Sequence, residues 1–303
     1  MADQLQRLGV LIVEYRDPDG AAGIIRNLRE LPEAEIVVIS TGPEPFSAAR
    51  GARVTHLPGN PGFGAALNLG VRSLSPDVSH FLISNTDIRC SSEGVRTLWE
   101  EAKRSGVAMV APTIVGPEGK VEWDGGRIDF ARLKVIHERM GERPRAGNIV
   151  EPTMFVTGAH VLIARTAWEA VGGMREDFFL YGEDVDFSMR VRCAGLAAAV
   201  HTGVRVVHEP SSSVGRHSSL QVYLMSRNSI RFFSEWSPHL WGRLMCWPAV
   251  PLRLAFQCHR GGSALRGLLP WIALGAWDAR RVSAHHACKG RTARLLAARG
   301  GAG

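Results

Sequence analysis

The chain has 303 residues, enough for one large α/β domain with an appendage or for two small domains. Its composition, 45% hydrophobic and 21% charged, is that of a globular protein and excludes a disordered or repeat architecture. The net charge of +7 is unevenly spread: arginines gather after residue 240, and the stretch before about residue 120 is nearly balanced. No recognition helix or zinc-finger spacing accompanies it, so nucleic acid is not the expected partner. The basic C-terminal third serves either solubility or attraction to anionic lipid or substrate. The 5 cysteines are far apart and without a Cys-x-x-Cys pair, which suggests a reducing compartment and no structural zinc. The start, MADQLQRLG, lacks the apolar core of a signal peptide. Arg243, Arg253, Arg266 and Asp278 interrupt the apolar C-terminal third before it reaches the ~18 residues of a membrane span. The expected location is the cytoplasm, with peripheral attachment at the inner face of the membrane left open.

In chain order, GVLIVE at 9–14 reads as a strand, and Ile24, Ile25, Leu28 and Leu31 give helical spacing to 21–31. Strand signals return at 35–40 (EIVVIS), 53–57 (RVTHL), 81–85 (FLISN) and 107–111 (VAMVA). Strands alternating with helices predict an α/β fold with a mixed, mostly parallel sheet flanked by helices, binding its ligand beyond the carboxyl ends of the strands. Residues 116–147, rich in Gly, Pro and charge, read as hairpins and a loop. Residues 197–208 read as two short strands around Thr202-Gly203, ending at His208. A helix is predicted from Ser218 to Trp236, and amphipathic helices carrying Trp241, Trp247, Trp271 and Trp277 follow. The expected boundary falls near residue 235, between a catalytic domain (1–235) and a helical region (236–303) with a disordered tail.

Several stretches carry chemistry. GNPGFGAALNLG, Gly59 to Gly70, has glycines that free the backbone for a tight turn, just before a helix whose first amides can face an anion. Its spacing is not that of the dinucleotide fingerprint. SNTDIR, Ser84 to Arg89, puts Asp87 at a strand end, where it either holds a hard cation or closes a turn with local hydrogen bonds. Gly158 and Ala159, inside the apolar run 154–166, are small enough to let a substrate touch the backbone, or simply pack closely. FFLYGEDVDFSMR, 178–190, places Glu183, Asp184 and Asp186 directly after an aromatic run. Such carboxylates either move protons in a cleft or only complement the dipole of a helix N-terminus.

Taken in order, GNPGFGAALNLG, SNTDIR, FVTGAHVLIART, FFLYGEDVDFSMRVRCAG, VVH with the downstream SVGRHS, and YLMSRNSIRFF resemble the family 2 glycosyltransferases of GT-A fold, especially the bacterial rhamnosyltransferase-like branch. The resemblance runs from about residue 9 to 235. It implies inverting, metal-dependent transfer of a sugar from a nucleotide diphosphate donor to a hydroxyl of a polysaccharide, lipid-linked glycan or small-molecule glycoside. It makes Asp184 the general base, and sets Glu183, Asp186, Gly158, Ala159 and Tyr181 at the acceptor. Asp87 and His208 would hold a divalent cation, Mg²⁺ or Mn²⁺. Tyr15, Thr41, Gly59, Asn60 and Gly64 would contact the donor, as would Asn68, Asn85, Asp87, Arg216 and Arg227. Where the family's second strand usually ends in Asp-Asn, this chain has Ser40 and Thr41, so modest discrimination among nucleobases is expected. A nucleotide-sugar-binding protein without transfer activity is the alternative reading, and a homo-oligomer is left open.

Overall fold

The computed structural model describes residues 7–31, 34–47, 51–209, 218–260 and 269–279. Arg216 and the tail beyond Ala279 lie outside the described residues. The chain divides into two compact units. The first holds the chain up to Arg127, His137–Phe179 and the stretch from Glu183 through β12; the second holds Ile128–Ile136, Leu180–Gly182 and the C-terminal helices.

In the first unit the strands and helices run β1 (Arg7–Glu14), α1 (Pro18–Asn27), β2 (Ala34–Ser40), β3 (Arg53–His56), α2 (Phe63–Ser73) and β4 (Val78–Asn85). There follow β5 (Ile88–Arg89), α3 (Ser92–Ser105), β6 (Met109–Val115) and β7 (Val121–Trp123). A separate two-stranded hairpin, of which Ile128–Ile136 group with the second unit, joins β8 (Gly126–Asp129) to β9 (Lys134–His137). The unit closes with β10 (Val150–Pro152), β11 (His160–Ala164), α4 (Arg165–Val171), α5 (Glu183–Cys193) and β12 (Ala198–His208). The main sheet has the order β10-β12-β6-β11-β4-β1-β2-β3, with β5 on β12 and β7 on β6. β1 pairs parallel with both β2 and β4, and β2 with β3. β11 is inserted antiparallel between β4 and β6. This is the mixed, mostly parallel sheet flanked by helices that the alternation of strand and helix signals predicts.

The physical reasons are local. β1 and β2 are near-continuous apolar runs, buried along most of their length as central parallel strands covered on both faces must be. α1 starts where Asp17 accepts from the Gly20 amide at 3.1 Å, with Pro18 in its first turn. α3 starts on Ser91 and stops at Gly106, whose φ of 68° suits a left-handed C-cap. Because β1 leads to β2 on one side while β4 returns to its other side, the order reverses at β1 and β4. In sheets of this kind that reversal marks the ligand end.

The structure corrects one detail of the sequence reading and adds two. Residues 198–208 form one strand, interrupted only by a register shift between His201 and Arg205. The run 154–166 contributes only His160–Ala164 as strand before turning into α4. The two-residue strand β5 was too short to carry a periodic signal.

The second unit contains α6 (Ser219–Trp236), α7 (Leu240–Arg260) and α8 (Leu269–Ala279). Ser218 caps α6 by accepting from the Gln221 amide at 3.1 Å. The boundary expected near residue 235 therefore does not coincide with the compact units, since α6 groups with the helices that follow it.

Candidate functional site

At the carboxyl end of β4 the chain turns through Asn85, Thr86 and Asp87 into β5. Pairing of β5 with the end of β12 sets His208 opposite Ile88, and the Glu209 amide donates to the Asp87 carbonyl at 2.8 Å. His208 Nε2 consequently lies 3.2 Å from Asp87 Oδ2. Its Nδ1 lies 2.5 Å from Glu122 Oε2, brought in by β7. The hydrogen bond to Asp87 is the main influence raising the imidazole pKa to about 9, against desolvation, and Glu122 adds to the effect. Asp87 Oδ1 is buried and has no hydrogen-bond partner among the described residues. An isolated buried carboxylate oxygen is costly to leave unmatched.

The second acidic group opens α5. Asp184 is partly exposed; its Oδ2 accepts from the Gly158 amide at 3.1 Å and its Oδ1 from its neighbour Val185's amide at 2.8 Å. Burial raises its pKa, an effect that those two amides and the nearby His137 imidazole on β9 offset only in part. Glu183 is 5% exposed, and its Oε2 has no partner among the described residues. Burial, with the charge of Asp184 as a second cause, lifts its pKa to about 8, so it holds its proton at neutral pH. Two adjacent carboxylates thus have different environments, one partly exposed and held by two amides, the other dry. This is the pattern by which sites separate ionised from protonated acids.

Folded Glu183 keeps a proton that the unfolded chain, with a carboxyl pKa near 4.5, releases. Its burial therefore costs nothing below that value and progressively more as pH rises toward 8. Glu183→Gln is expected to be near neutral at pH 4.5 and stabilising by a few kcal/mol at pH 8.5 (order of magnitude). Urea denaturation at the two pH values measures this. An equal effect at both would mean that burial does not hold the proton.

The remaining sequence candidates are distributed as follows. Asn85 and Ala159 meet, the Asn85 amide donating to the Ala159 carbonyl at 2.8 Å. The strap Thr157–Ala159 thereby joins Asp184 on one side to the Asn85–Asp87 turn on the other. Gly158 serves this strap through its amide, and a Cβ there would stand 3.1 Å from the Phe63 ring. Asn60 Oδ1 accepts from the Gly62 amide at 3.1 Å and closes the glycine-rich turn. Gly59, with φ 93°, is open to solvent on its Cα side. Gly62 has φ 96°, and any Cβ would come within 2.7 Å of the Phe179 carbonyl, so both backbone and space demand glycine. Tyr15 is partly exposed under the Arg16 guanidinium. In the second unit, Arg227 lies over the Tyr223 ring and donates to Asn228 at 2.9 Å. Asn228 in turn donates to the carbonyls of Leu180 and Tyr181 at 2.8 and 2.7 Å, holding Tyr181 at φ 68°.

Four candidates are engaged elsewhere. Asp186 is fully buried and paired with Arg190 at 2.8 Å and Arg175 at 3.5 Å, so it braces α5 rather than facing an acceptor. The Asn68 amide is committed to the 174–176 loop, donating to Met174 O and Glu176 Oε1 and accepting from the Met174 amide. Gly64 provides close packing, since a Cβ would sit 2.8 Å from the Arg175 carbonyl. Thr41 is buried, its hydroxyl donating to the Glu14 carbonyl at 3.1 Å. Glu14 itself stands in register with Ser40 and accepts from the Ser40 hydroxyl at 2.7 Å. A carboxylate missing from β2 is thus present on the adjoining strand. Sequence reading missed Glu122 and His137, both in the hairpin region; the only signal was the density of charge between Gly116 and Gly147.

No family profile matches the sequence. The chain is 22% identical over 229 residues to a low-salt glycan biosynthesis hexosyltransferase, Agl10, of Haloferax volcanii, covering 74% of each chain. It is 26% identical over 232 residues to an N-acetylglucosaminyl-diphospho-decaprenol L-rhamnosyltransferase of Mycobacterium tuberculosis, covering 69% of this chain and 72% of that one. Among solved structures, GalNAc-T7 crystallised with UDP, GalNAc and Mn²⁺ shares the fold with a TM-score of 0.57 at 13% identity. That likeness covers 90% of this chain, which spans about half (55%) of the other. The chain is thus similar, over most of their length, to relatives that are themselves sugar transferases, and it shares the GT-A architecture; these likenesses support a glycosyltransferase that resembles the rhamnosyltransferase-like branch of family 2.

Proposed function

We propose that the chain transfers a sugar from a nucleotide diphosphate donor to an acceptor hydroxyl with inversion, using Asp184 as base and a divalent cation held by Asp87 and His208. The observation that carries this reading is the contrast at the start of α5. Asp184 is partly exposed and held by two amides, while Glu183 beside it is dry and keeps its proton. In the step, Asp184 takes the proton of the acceptor hydroxyl and that oxygen bonds the anomeric carbon. The bond from this carbon to the donor diphosphate breaks on the opposite face, which inverts the configuration. The relatives' names support a lipid-linked or polysaccharide acceptor.

The residues at the end of β4 fit a cation. Two ligands at right angles on an ion of Mg²⁺ size stand roughly 3 Å apart, close to the 3.2 Å between Asp87 Oδ2 and His208 Nε2. With Glu122 accepting from Nδ1–H, the Nε2 lone pair would face the cation once the proton that Nε2 shares with Asp87 is displaced, the usual arrangement behind a metal-binding histidine. Among the described residues no three acidic, His or Cys side chains form a complete cage. A cation that keeps several waters and takes further oxygens from phosphate needs no such cage. When bound, the cation supplies positive charge to the departing diphosphate.

Thermal shift with uridine and thymidine diphosphates, with and without Mg²⁺ or Mn²⁺, tests the reading, because a ligand that binds only the native state raises its apparent stability. The stabilisation should require both nucleotide and cation. It should vanish in Asp87→Ala and His208→Ala, and Glu122→Gln should lower cation affinity roughly tenfold to a hundredfold. Full transfer in excess EDTA would remove the cation from the scheme.

A further inference from the structure

In the second unit α6, α7 and α8 satisfy one another on their inner sides. Val222 of α6 and Ile272 of α8 are buried together, with Leu254 and Ala255 of α7 packed against them. At Gly275 a Cβ would come within 2.4 Å of the Tyr223 carbonyl, so α8 lies directly on α6. The Tyr223 hydroxyl donates to Asp278 at 2.6 Å, and the Ser226 hydroxyl to the Ile272 carbonyl at 2.9 Å. The helices nonetheless carry a second apolar side. Trp241, Leu244 and Leu252 of α7 are 72%, 58% and 68% exposed, and at spacings of three and eight residues they share one stripe. Trp271, Leu274 and Trp277 of α8 are exposed too, at three-residue spacing on the side away from Ile272, Gly275 and Ala279. Exposed apolar surface on this scale marks a surface that something covers.

Charge identifies what covers it. Residues 236–303 contain ten Lys or Arg and one carboxylate, Asp278, so they carry a net +9 in a chain whose total is +7. The rest of the protein is slightly acidic. Directly after α8 come Arg280, Arg281, Lys289, Arg291, Arg294 and Arg299, with no acidic residue among them. A second copy of the chain on this face would bring two such positive regions together, whereas an anionic surface neutralises them. Tryptophan has an apolar body and a polar N–H, which suits the headgroup layer of a bilayer.

We propose that the outer side of α7 and α8 lies in the headgroup region of an anionic phospholipid membrane, its tryptophans and leucines inserted and the basic residues that follow α8 in the sequence attracted to the lipid charge. Neither signal alone gives stable attachment; an apolar anchor and a basic segment together do. No helix among the described residues is long and apolar enough to cross a membrane, so the contact is interfacial. The proposal rests on these helices and their charge, independently of the donor and acceptor assignments.

The test is flotation of the full chain with vesicles of phosphatidylcholine containing about one-third phosphatidylglycerol, read together with tryptophan emission. Binding at low ionic strength with a blue-shifted emission is expected, weakened about tenfold on neutral phosphatidylcholine vesicles and by raised salt. Trp241→Ser combined with Trp277→Ser should lower vesicle affinity about tenfold with the far-ultraviolet circular dichroism unchanged. If that variant does not fold, Leu244→Ser with Leu274→Ser replaces it, with the same expectation. Three results would overturn the proposal: no association at low salt, association that neither alters emission nor responds to these substitutions, or a stable dimer in sedimentation that shields the same tryptophans.

Discussion

In Asp184→Asn, transfer falls by roughly a hundredfold to ten-thousandfold while donor affinity stays near that of the parent. The amide keeps the shape of the carboxylate but takes no proton from the acceptor. It also has one oxygen where the carboxylate offers two, so either Gly158 or Val185 loses its acceptor. A stability loss of about 1 kcal/mol should accompany the loss of turnover. Turnover with saturating acceptor and calorimetry with nucleotide diphosphate separate the two effects. Wild-type turnover in the variant would move the base to another carboxylate, Glu183 first. A parent protein that binds nucleotide diphosphate yet never transfers sugar would instead support the binding-only reading.

Asp186→Ala should unfold the protein more readily, by about 3–5 kcal/mol, with its effect on acceptor affinity confined to the loss of folded protein. The side chain is fully buried between Arg190 and Arg175. Arg190 also donates to the carbonyls of Val171 and Gly173 at 2.8 and 2.7 Å. Removing the carboxylate leaves positive charge in a dry site and loosens the loop that leads to α5. Denaturant titration gives the stability, and acceptor KM on the folded fraction gives the other arm. A normally stable variant with a raised KM would return Asp186 to the acceptor.

The sheet and its order of motifs were legible because parallel central strands are written as uninterrupted apolar runs, as in residues 9–14 and 35–40. The site was legible in part. Asp87 and His208 announce themselves by standing at strand ends, but Glu122 lies 86 residues before His208, and no local pattern links them. Helical geometry could have sorted the acidic trio further than it did. Residues two apart on a helix point to nearly opposite sides, so Asp184 and Asp186 could not both face one substrate. The same geometry puts Gly64 and Asn68, four apart on α2, on one side, and both contact the 174–176 loop. Thr41 was misjudged for a different reason. The register that brings Glu14 beside Ser40 is a property of two paired strands and is written in neither alone.

The strap Thr157–Ala159 has a consequence for how the enzyme tolerates change. It donates to Asp184, the proposed base, through one amide and receives the turn that carries Asp87 through the next residue's carbonyl. The two halves of the chemistry therefore share one mechanical reference, and an error in its position is an error in both at once. Loosening it, by heat or by substitution, should make donor affinity and turnover decline in step. Stiffening it narrows the spread of distances over which a hydroxyl must approach, where misplacement of even an ångström is expensive.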